Sequence, residues 1–439
     1  MTDIADRHHD APIDQVSREA LAAQGLDLRL VPRTDAERFA AWQQALSRGF
    51  FEPEQNDKQR EAAFERHDER RLVGAYDPAS PQPDWPVATF GTFVADLSLP
   101  GGRSIPSCAI TEVTVAPTHR RRGIMRSMME GELRAARETG LAVAMLTASE
   151  STIYGRFGFA SAALGAHVKI EVPRVRWIGE RPGGRVDFVS RERARELVPA
   201  LHARASLTRP GEITMQRGHW DRLAGTRPDA EHPETLRALQ YASSDGSVDG
   251  VAVYTAEEDS VDFTKSKVRI HALIAATADA YAALWRHFLE MDLIGQVTAS
   301  ELAVDEPVLW MIGDRRAATV TVRDHQYVRI LDVREALEAR RYATPGALVL
   351  EVTDPLGFAE GTWHLSVDDD GRATGNAATD GETRDAVRVR LGITELSAAY
   401  LGSVSLATLA AAGRVQATDA IAAATLFAWP ETARLSFWY

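Results

Sequence analysis

Three consecutive arginines, Arg120, Arg121 and Arg122, followed by Gly123, are the residues of this 439-residue chain whose types and spacing most clearly suggest chemistry. They stand between an apolar stretch ending at Val115 and a helical pattern running on from Ile124. At such a junction the unpaired N–H groups of the first helical turn and the positive end of the helix dipole attract phosphate. A glycine lets a ligand approach the backbone, and guanidinium groups add paired contacts to phosphate oxygens. Neither Gly-x-x-x-x-Gly-Lys-Ser/Thr nor Gly-x-Gly-x-x-Gly occurs here, which disfavours a nucleoside-triphosphate site. An isolated basic triplet is also weak support for nucleic-acid binding in a chain of net charge −12. That charge suits a cationic substrate, because a negative field concentrates positive small molecules.

The elements that must position this turn follow from hydropathy patterning. Phe39, Trp42 and Leu46 give Ala36 to Leu46 helical spacing, and Val87 to Leu97 alternates as a strand. Pro100-Gly101-Gly102 predicts a hairpin to a second strand carrying Ile110, Val113 and Val115. A helix is expected from Arg121 to Thr139, with Ile124, Met128 and Leu133 on one face and Gly140 as its stop. Leu141 to Leu146 then reads as a buried strand, so strand, turn, helix and strand form a parallel pair with a right-handed crossover.

Length sets the larger plan, since single cores stop growing near roughly 250–300 residues. Four regions are expected: a loose polar N-terminal arm over 1–25, in which Val16 to Ala23 could form a short helix, a domain over 26–172, a second over 173–320 and a third over 321–439. The second mixes strands at Leu236 to Tyr241 and Gly250 to Tyr254 with a helix at Asp279 to Met291. In the third, strands at Ala347 to Val352, Gly361 to Val367 and Ala386 to Leu391 accompany helices at Asp332 to Arg341, Glu395 to Leu401 and Val404 to Ala412. No apolar run approaches the ~20 residues of a membrane helix, and Met1 to Gln15 is too polar for a leader, so a cytoplasmic protein with no membrane and no nucleic-acid partner is expected. Arginine and alanine dominate over lysine, as in GC-rich bacterial genomes. Cys108 reads as a small apolar strand residue, and a single thiol gives neither a disulfide framework nor a cysteine zinc site, so no metal is expected. Asp368-Asp369-Asp370-Gly371 fits a hairpin turn better than a calcium loop. His8 and His9 fall in the polar arm, and His119 reads as a solvated residue of the phosphate turn.

The pattern Val113-Thr-Val-Ala-Pro-Thr-His-Arg-Arg-Arg-Gly123-Ile-Met resembles the acetyl-CoA loop of the GCN5-related N-acetyltransferase superfamily, with Met125 in place of the usual small last residue. Leu146-Thr-Ala-Ser-Glu-Ser-Thr-Ile-Tyr-Gly-Arg-Phe-Gly-Phe159 is similar to that superfamily's strand exit, most closely as found in the Eis (enhanced intracellular survival) acetyltransferases. The resemblance implies an α+β fold of two acetyltransferase-like domains followed by a sterol-carrier-protein-like domain, whose tail returns to the active site. It implies acetyl-CoA as co-substrate, held by Val113, Thr114, Val115, Arg120, Arg121, Arg122, Gly123, Ile124, Met125, Ser149 and Glu150. As side chains Val113 and Val115 read as core, and Glu150 reads equally well as the cap of the following turn.

In the same family a tyrosine at the position of Tyr154 is the general acid, and the carboxylate of the last residue, here Tyr439, is the base. Without the family, Tyr154 would read as a packed aromatic with a satisfied hydroxyl. The family tail as we know it ends in Phe after an acidic residue, whereas Trp438 precedes Tyr439 here. The apolar end Leu435-Ser-Phe-Trp-Tyr439 fits docking into the active site or ordinary packing on the third domain. Phe50, Phe51, Glu52 and Phe64 lie where the family lines its acceptor pocket, although core packing suits any one of them. The implied reaction is acetyl transfer to amines of a polycationic acceptor (aminoglycoside, polyamine or lysine side chain) by a homo-hexamer. The alternative is a non-catalytic binding or regulatory protein with an apolar-ligand site in the C-terminal domain.

Overall fold

A computed structural model describes residues 2–32, 34–65, 67, 69–378 and 386–439. The chain divides into two compact units, one of residues 1–162, 326–430 and 439 and the other of residues 163–325 and 431–438.

The first unit begins with helices α1 (Thr2–His9) and α2 (Gln15–Ala22), strand β1 (Asp27–Leu30), and helices α3 (Ala36–Gly49) and α4 (Asp57–Phe64). Strands β2 (Arg71–Tyr76), β3 (Ala88–Leu99) and β4 (Arg103–Val115), helix α5 (Ile124–Glu138), strand β5 (Val143–Thr147) and the single turn α6 (Ser151–Tyr154) follow. Successive strands from β1 to β4 are antiparallel, β4 and β5 are parallel around α5, and the Gln326–Ile330 end of a later strand, β12 (Ala318–Ile330), runs antiparallel to β5. Alternation along β2 separates the two cores of this sheet. Val73 and Ala75 join Leu21, Cys108, Met128 and Leu133 beneath α2 and α5, while Leu72 joins Phe39, Trp42 and Leu46 of α3. The Pro-Gly-Gly hairpin and the parallel crossover are both present.

Two expectations are corrected in this unit. The N-terminal segment is not a loose polar arm: Asp14 caps α2, and Arg71 donates to the carbonyls of Ala11 and Pro12 while pairing with buried Glu132. His8 is buried with Nε2 3.0 Å from Thr92 Oγ1, and burial followed by the positive field of Arg71 pulls its pKa down to about 3. Helix α5 begins at Ile124 rather than Arg121, because Arg121 and Gly123 take φ of +63° and +75°, outside helical backbone.

The second unit takes its strands from β6 (Ala160–Glu171), β7 (Arg185–Val189), β8 (Leu236–Ala242), β9 (Val248–Glu257), β10 (Ser266–Ala275) and β11 (Ile294–Leu302), in the order β6-β11-β10-β9-β8-β7. Helices α7 (Arg191–Ser206) and α8 (Arg217–Ala224) cover one face through Val198, Leu201 and Trp220. Helix α9 (Ala278–Leu289) covers the other through Leu284, Trp285 and Phe288, and α10 (Val308–Met311) extends that core with Val308 and Leu309.

After β12 the chain belongs to the first unit again. Helix α11 (Val333–Ala339) precedes β13 (Gly346–Thr353), β14 (Gly361–Val367), β15 (Ala373–Ala377) and β16 (Val387–Gly392), then α12 (Ile393–Ala399), α13 (Leu406–Ala411), β17 (Val415–Ala417) and α14 (Ala420–Phe427). These strands form a sheet of order β15-β14-β13-β16-β17. Asp368 makes the expected hairpin turn, its side chain accepting from the N–H groups of Asp370 and Arg372, with Gly371 at φ +71°. Leu396, Tyr400, Leu401 and Leu406 are buried, and a cavity of about 460 Å³ beside β13 and β16 is bordered by the charged Glu351, Glu360, Arg390 and Arg414 together with Val352 and Leu391.

Arg329 of β12 is buried, donating through Nη2 to Asp354 at 2.7 Å and through Nε to the Phe157 carbonyl at 2.8 Å. Removing one partner of a buried pair costs about 3–5 kcal/mol. Arg329→Met should therefore lower the stability of the first unit by that amount in urea unfolding, and adding Asp354→Leu should recover part of it. Coincident transitions for wild type and Arg329→Met would show that the pair contributes nothing.

Candidate active site

The site begins with an irregularity in β4. Its register against β3 slips between Thr89 and Gly91, and Glu112 takes φ +57°, so one extra residue of β4 is accommodated as a bulge. Gly91 leaves room opposite, since a Cβ there would lie 2.8 Å from Glu112 Oε2 and 3.3 Å from the Thr111 carbonyl, and the glutamate side chain would have to move. Parallel pairing of β4 with β5 covers Cys108–Ile110 against Ala144–Leu146 and stops there. Beyond it, among the described residues, no pairing with β5 continues along Val113 to Val115; the Val115 carbonyl accepts from Arg120 Nε at 3.4 Å, and an edge of this kind can take an extended ligand as an added strand. Their side chains behave as expected of core. Val113 and Val115 pack on the hydrophobic cluster, and Thr114 Oγ1 is 2.7 Å from Thr89 Oγ1.

The β4 strand leads into the arginine turn. Arg120, Arg121, Arg122 and Gly123 are exposed, and Gly123 is the N-cap of α5 without a side-chain cap hydrogen bond. A Cβ at Gly123 would meet nothing within 4 Å, so the space above the helix start is open, and its φ of +75° is what calls for glycine. Arg120 lies over the Phe51 ring at 5.6 Å, and Arg122 Nη2 donates to the Gln24 carbonyl at 3.0 Å. Arg121 has neither a hydrogen bond nor an ion pair among the described residues. Ile124 is buried and Met125 packs on the core, so these two contribute backbone rather than side chain to the turn. His119 is not solvated as expected: Nε2 is 3.1 Å from Asp77 Oδ2 and Nδ1 is 2.8 Å from Thr118 Oγ1.

At the far end of the gap, Ser149 and Glu150 are exposed, and Glu150 takes the Thr152 hydroxyl at 3.1 Å instead of capping a backbone N–H. Tyr154 is largely buried, its ring 6.3 Å from those of Phe159 and Tyr327, and burial reinforced by the Glu150 charge raises its phenol pKa. Tyr439 is also in this unit. Its main-chain carbonyl oxygen accepts from Thr147 Oγ1 at 2.8 Å, its hydroxyl is 3.4 Å from Gln326 Oε1, and its ring is edge-on to Phe93 at 5.8 Å. Leu146 opposes Tyr327 and Thr147 opposes Gln326 across β5 and β12. Neighbouring residues of a strand point to opposite faces. Tyr154 and Tyr439 therefore reach the end of β5 from opposite sides of the sheet.

Phe51 is brought to the arginine turn, together with Phe50 and Glu52, which are exposed beside it in sequence. Phe64 is not: it stacks with His67 and Phe39 in the packing beneath α3 and α4. Sequence reasoning missed Thr147, Gln326, Phe93 and the Glu112–Arg70 ion pair. Glu112 had a signal, an acid inside the apolar run Ile110-Thr-Glu-Val113. Its Oε2 is buried with no hydrogen-bond partner among the described residues. Of the tail, Glu431–Trp438 belong to the second unit and Tyr439 to the first.

Three family models match the chain: an acetyltransferase (GNAT) domain at residues 31–162, another acetyltransferase (GNAT) domain at 211–330, and a sterol carrier protein domain at 333–436. The chain is 38% identical over 400 residues to an uncharacterized N-acetyltransferase of Streptomyces avermitilis, covering 89% of this chain and 93% of that protein. It is 33% identical over 336 residues to the N-acetyltransferase Eis of Mycobacterium tuberculosis, covering 74% and 77%. The fold is that of Eis1 from Mycobacterium abscessus, with a TM-score of 0.78 at 24% identity over 94% of this chain and 100% of that one. With two acetyltransferase domains, a sterol-carrier-protein domain and this extent of identity, the chain belongs to the Eis-type N-acetyltransferases of the GCN5-related superfamily, enzymes of acyl-CoA-dependent acetyl transfer.

Proposed function

We propose that the protein moves acetyl from acetyl-CoA directly to amines of a polycationic acceptor, an aminoglycoside, polyamine or lysine side chain, without an acyl-enzyme. The observation that carries this reading is the interrupted β4–β5 pairing, which runs from an uncapped helix start to the end of β5, where Tyr154 and Tyr439 approach from opposite faces. Acetyl-CoA supplies the acyl group as a thioester. Its pyrophosphate would rest on the N–H groups from Gly123 to Met125 among Arg120, Arg121 and Arg122, and its pantetheine amides on Val113, Thr114 and Val115, with Ser149 and Glu150 farther along.

Attack by an amine requires loss of a proton on one side of the thioester and its gain by sulfur on the other. The carboxylate of Tyr439, the last residue of the sequence, serves as base, with Thr147 fixing one of its oxygens. Tyr154 serves as acid. The net charge of −12 and the unpartnered Oε2 of Glu112 support a cationic acceptor, with Phe50, Phe51 and Glu52 as candidate contacts. The reading extends to a cytoplasmic homo-hexamer, supported by the family resemblance.

Release of CoA thiol from acetyl-CoA, measured across aminoglycosides, polyamines and lysine peptides, should reveal turnover with at least one polycation, and silence across the whole panel would sink the acceptor assignment. Tyr154→Phe should reduce kcat by about 10²–10⁴ with little change in the KM for acetyl-CoA, the usual worth of a general acid. Because the phenol pKa is raised, the acid form persists at neutral and mildly alkaline pH, so kcat should not fall below about pH 10 through loss of this proton. Wild-type turnover by Tyr154→Phe would remove the assignment. Adding one alanine after Tyr439 displaces the carboxylate and should lower kcat by a similar factor of about 10² or more. Full activity of the extended chain would exclude that base.

A further inference from the structure

The second unit repeats the strand, helix, strand crossover of the first. Strands β10 and β11 run parallel around α9, their pairing ends at Ile270 and Ala299, and β10 slips register against β9 between Ile270 and Ala272. Past that point lies a cavity of about 300 Å³ bordered by Ile274 of β10 and Leu302 of β11. The phosphate turn has no counterpart here. The junction reads Ala275-Ala-Thr-Ala-Asp279, Thr277 caps α9 by accepting from the Ala280 N–H at 3.2 Å, and Asp279 puts a negative charge in the first turn. A capped, acidic helix start repels the anion that the first repeat invites.

The chain's own tail borders the cavity instead, through Arg434, Ser436, Phe437 and Trp438. Glu212, buried at 2% exposure, holds it. One carboxylate oxygen accepts from Arg434 Nε and Nη2, both at 3.2 Å, and the other accepts from the Ser436 N–H at 3.2 Å and its hydroxyl at 3.0 Å. The Arg434 N–H donates to the Pro210 carbonyl at 2.8 Å, so Pro210 and Glu212 grip the tail together. Farther along, His325 Nε2 is 3.1 Å from the Phe437 carbonyl and His219 Nε2 is 3.0 Å from that of Trp438. Burial alone would push the Glu212 pKa up, but His202 and Arg434 beside it outweigh burial and hold it at about 2, so the carboxylate stays charged at any assay pH.

We propose that the second repeat is a receptor for the chain's own tail, and that Glu212 is the positioning residue for Tyr439, three residues beyond Ser436. This rests on the reading of the Tyr439 carboxylate as base. In this view the cleft that takes a thioester in the first repeat is used in the second to present a catalytic group.

The test compares Glu212→Gln and Ser436→Pro with wild type in the full chain. Ser436→Pro removes both tail donors to one carboxylate oxygen without leaving Arg434 unpaired, which covers the case in which Glu212→Gln fails to fold. Two quantities are read: the rate at which a carboxypeptidase releases Tyr439 and Trp438, and kcat together with the KM for acetyl-CoA. Release should accelerate by about tenfold or more and kcat should fall by a similar factor, with the KM for acetyl-CoA within about twofold of wild type. Unchanged release in both variants overturns the clamp, whatever happens to turnover. Faster release with unchanged kcat leaves the tail grip standing but overturns the catalytic reading of Tyr439, and with it the positioning role.

Discussion

The bulge at Glu112 is the constraint from which the geometry of the first acetyltransferase repeat follows. A parallel ladder continued along β4 would pair with β5 the main-chain groups that β4 does not give to β3, and leave none for a ligand. Placing one extra residue in β4 at φ +57° turns the strand away after Ile110, and the left-handed backbone of a glutamate has to be compensated by its surroundings. Arg70 holds the carboxylate from one side, and Gly91 yields the space that a Cβ would fill from the other. The opened edge then points along β4 toward the helix start at Gly123. There the chain passes through a second left-handed position, Arg121, before α5 can begin. Both departures from regular backbone lie between the end of the β4–β5 pairing and the start of α5.

The same device appears in β10 and β11 with the opposite charge at the helix start. Duplication of a crossover reproduces the gap, because the gap is a property of strand divergence, but it does not reproduce the charge at the helix start. The two junctions differ in a handful of residues: arginines and an uncapped glycine in one repeat, a capping threonine and an aspartate in the other. A parallel sheet with a gap is thus a scaffold whose use is settled by the first turn of its crossover helix.

Local patterns made much of the fold readable. The α3 and α9 helices, the β3–β4 hairpin, the parallel crossover and the aspartate turn before β15 all depend on short-range periodicity, glycine placement or side-chain caps. The short helix considered at Val16 to Ala23 is present as α2, but α1 and the docking of the whole segment were hidden because their stability is not local. Residues 2–22 look polar, yet His8 finds Thr92, Ser17 finds the Ser127 carbonyl and Arg134 finds Asp14, none of them within 80 residues in sequence. For the site, Arg120 to Gly123 and Tyr154 stood out through dense local motifs. Thr147, Gln326 and Glu212 did not, since an isolated polar residue acquires meaning only through what the fold sets against it.

Buried ion pairs perform that long-range work repeatedly. Arg71 with Glu132 secures the N-terminal segment over α5, Arg329 with Asp354 fixes the loop after β13 behind β12, and Arg434 with Glu212 seats the tail. In free-energy terms such pairs are poor stabilisers, because desolvation offsets most of the Coulomb attraction and an apolar replacement can do as well. Their value lies in discrimination: a guanidinium taken from water must meet its carboxylate in a particular register, while a leucine would accept many. Each pair here fixes the placement of a segment that hydrophobic contact alone would leave free to slide. The tail shows why that matters most. Its apolar residues Leu435, Phe437 and Trp438 can bury surface in more than one arrangement, whereas the four hydrogen bonds to Glu212 admit one.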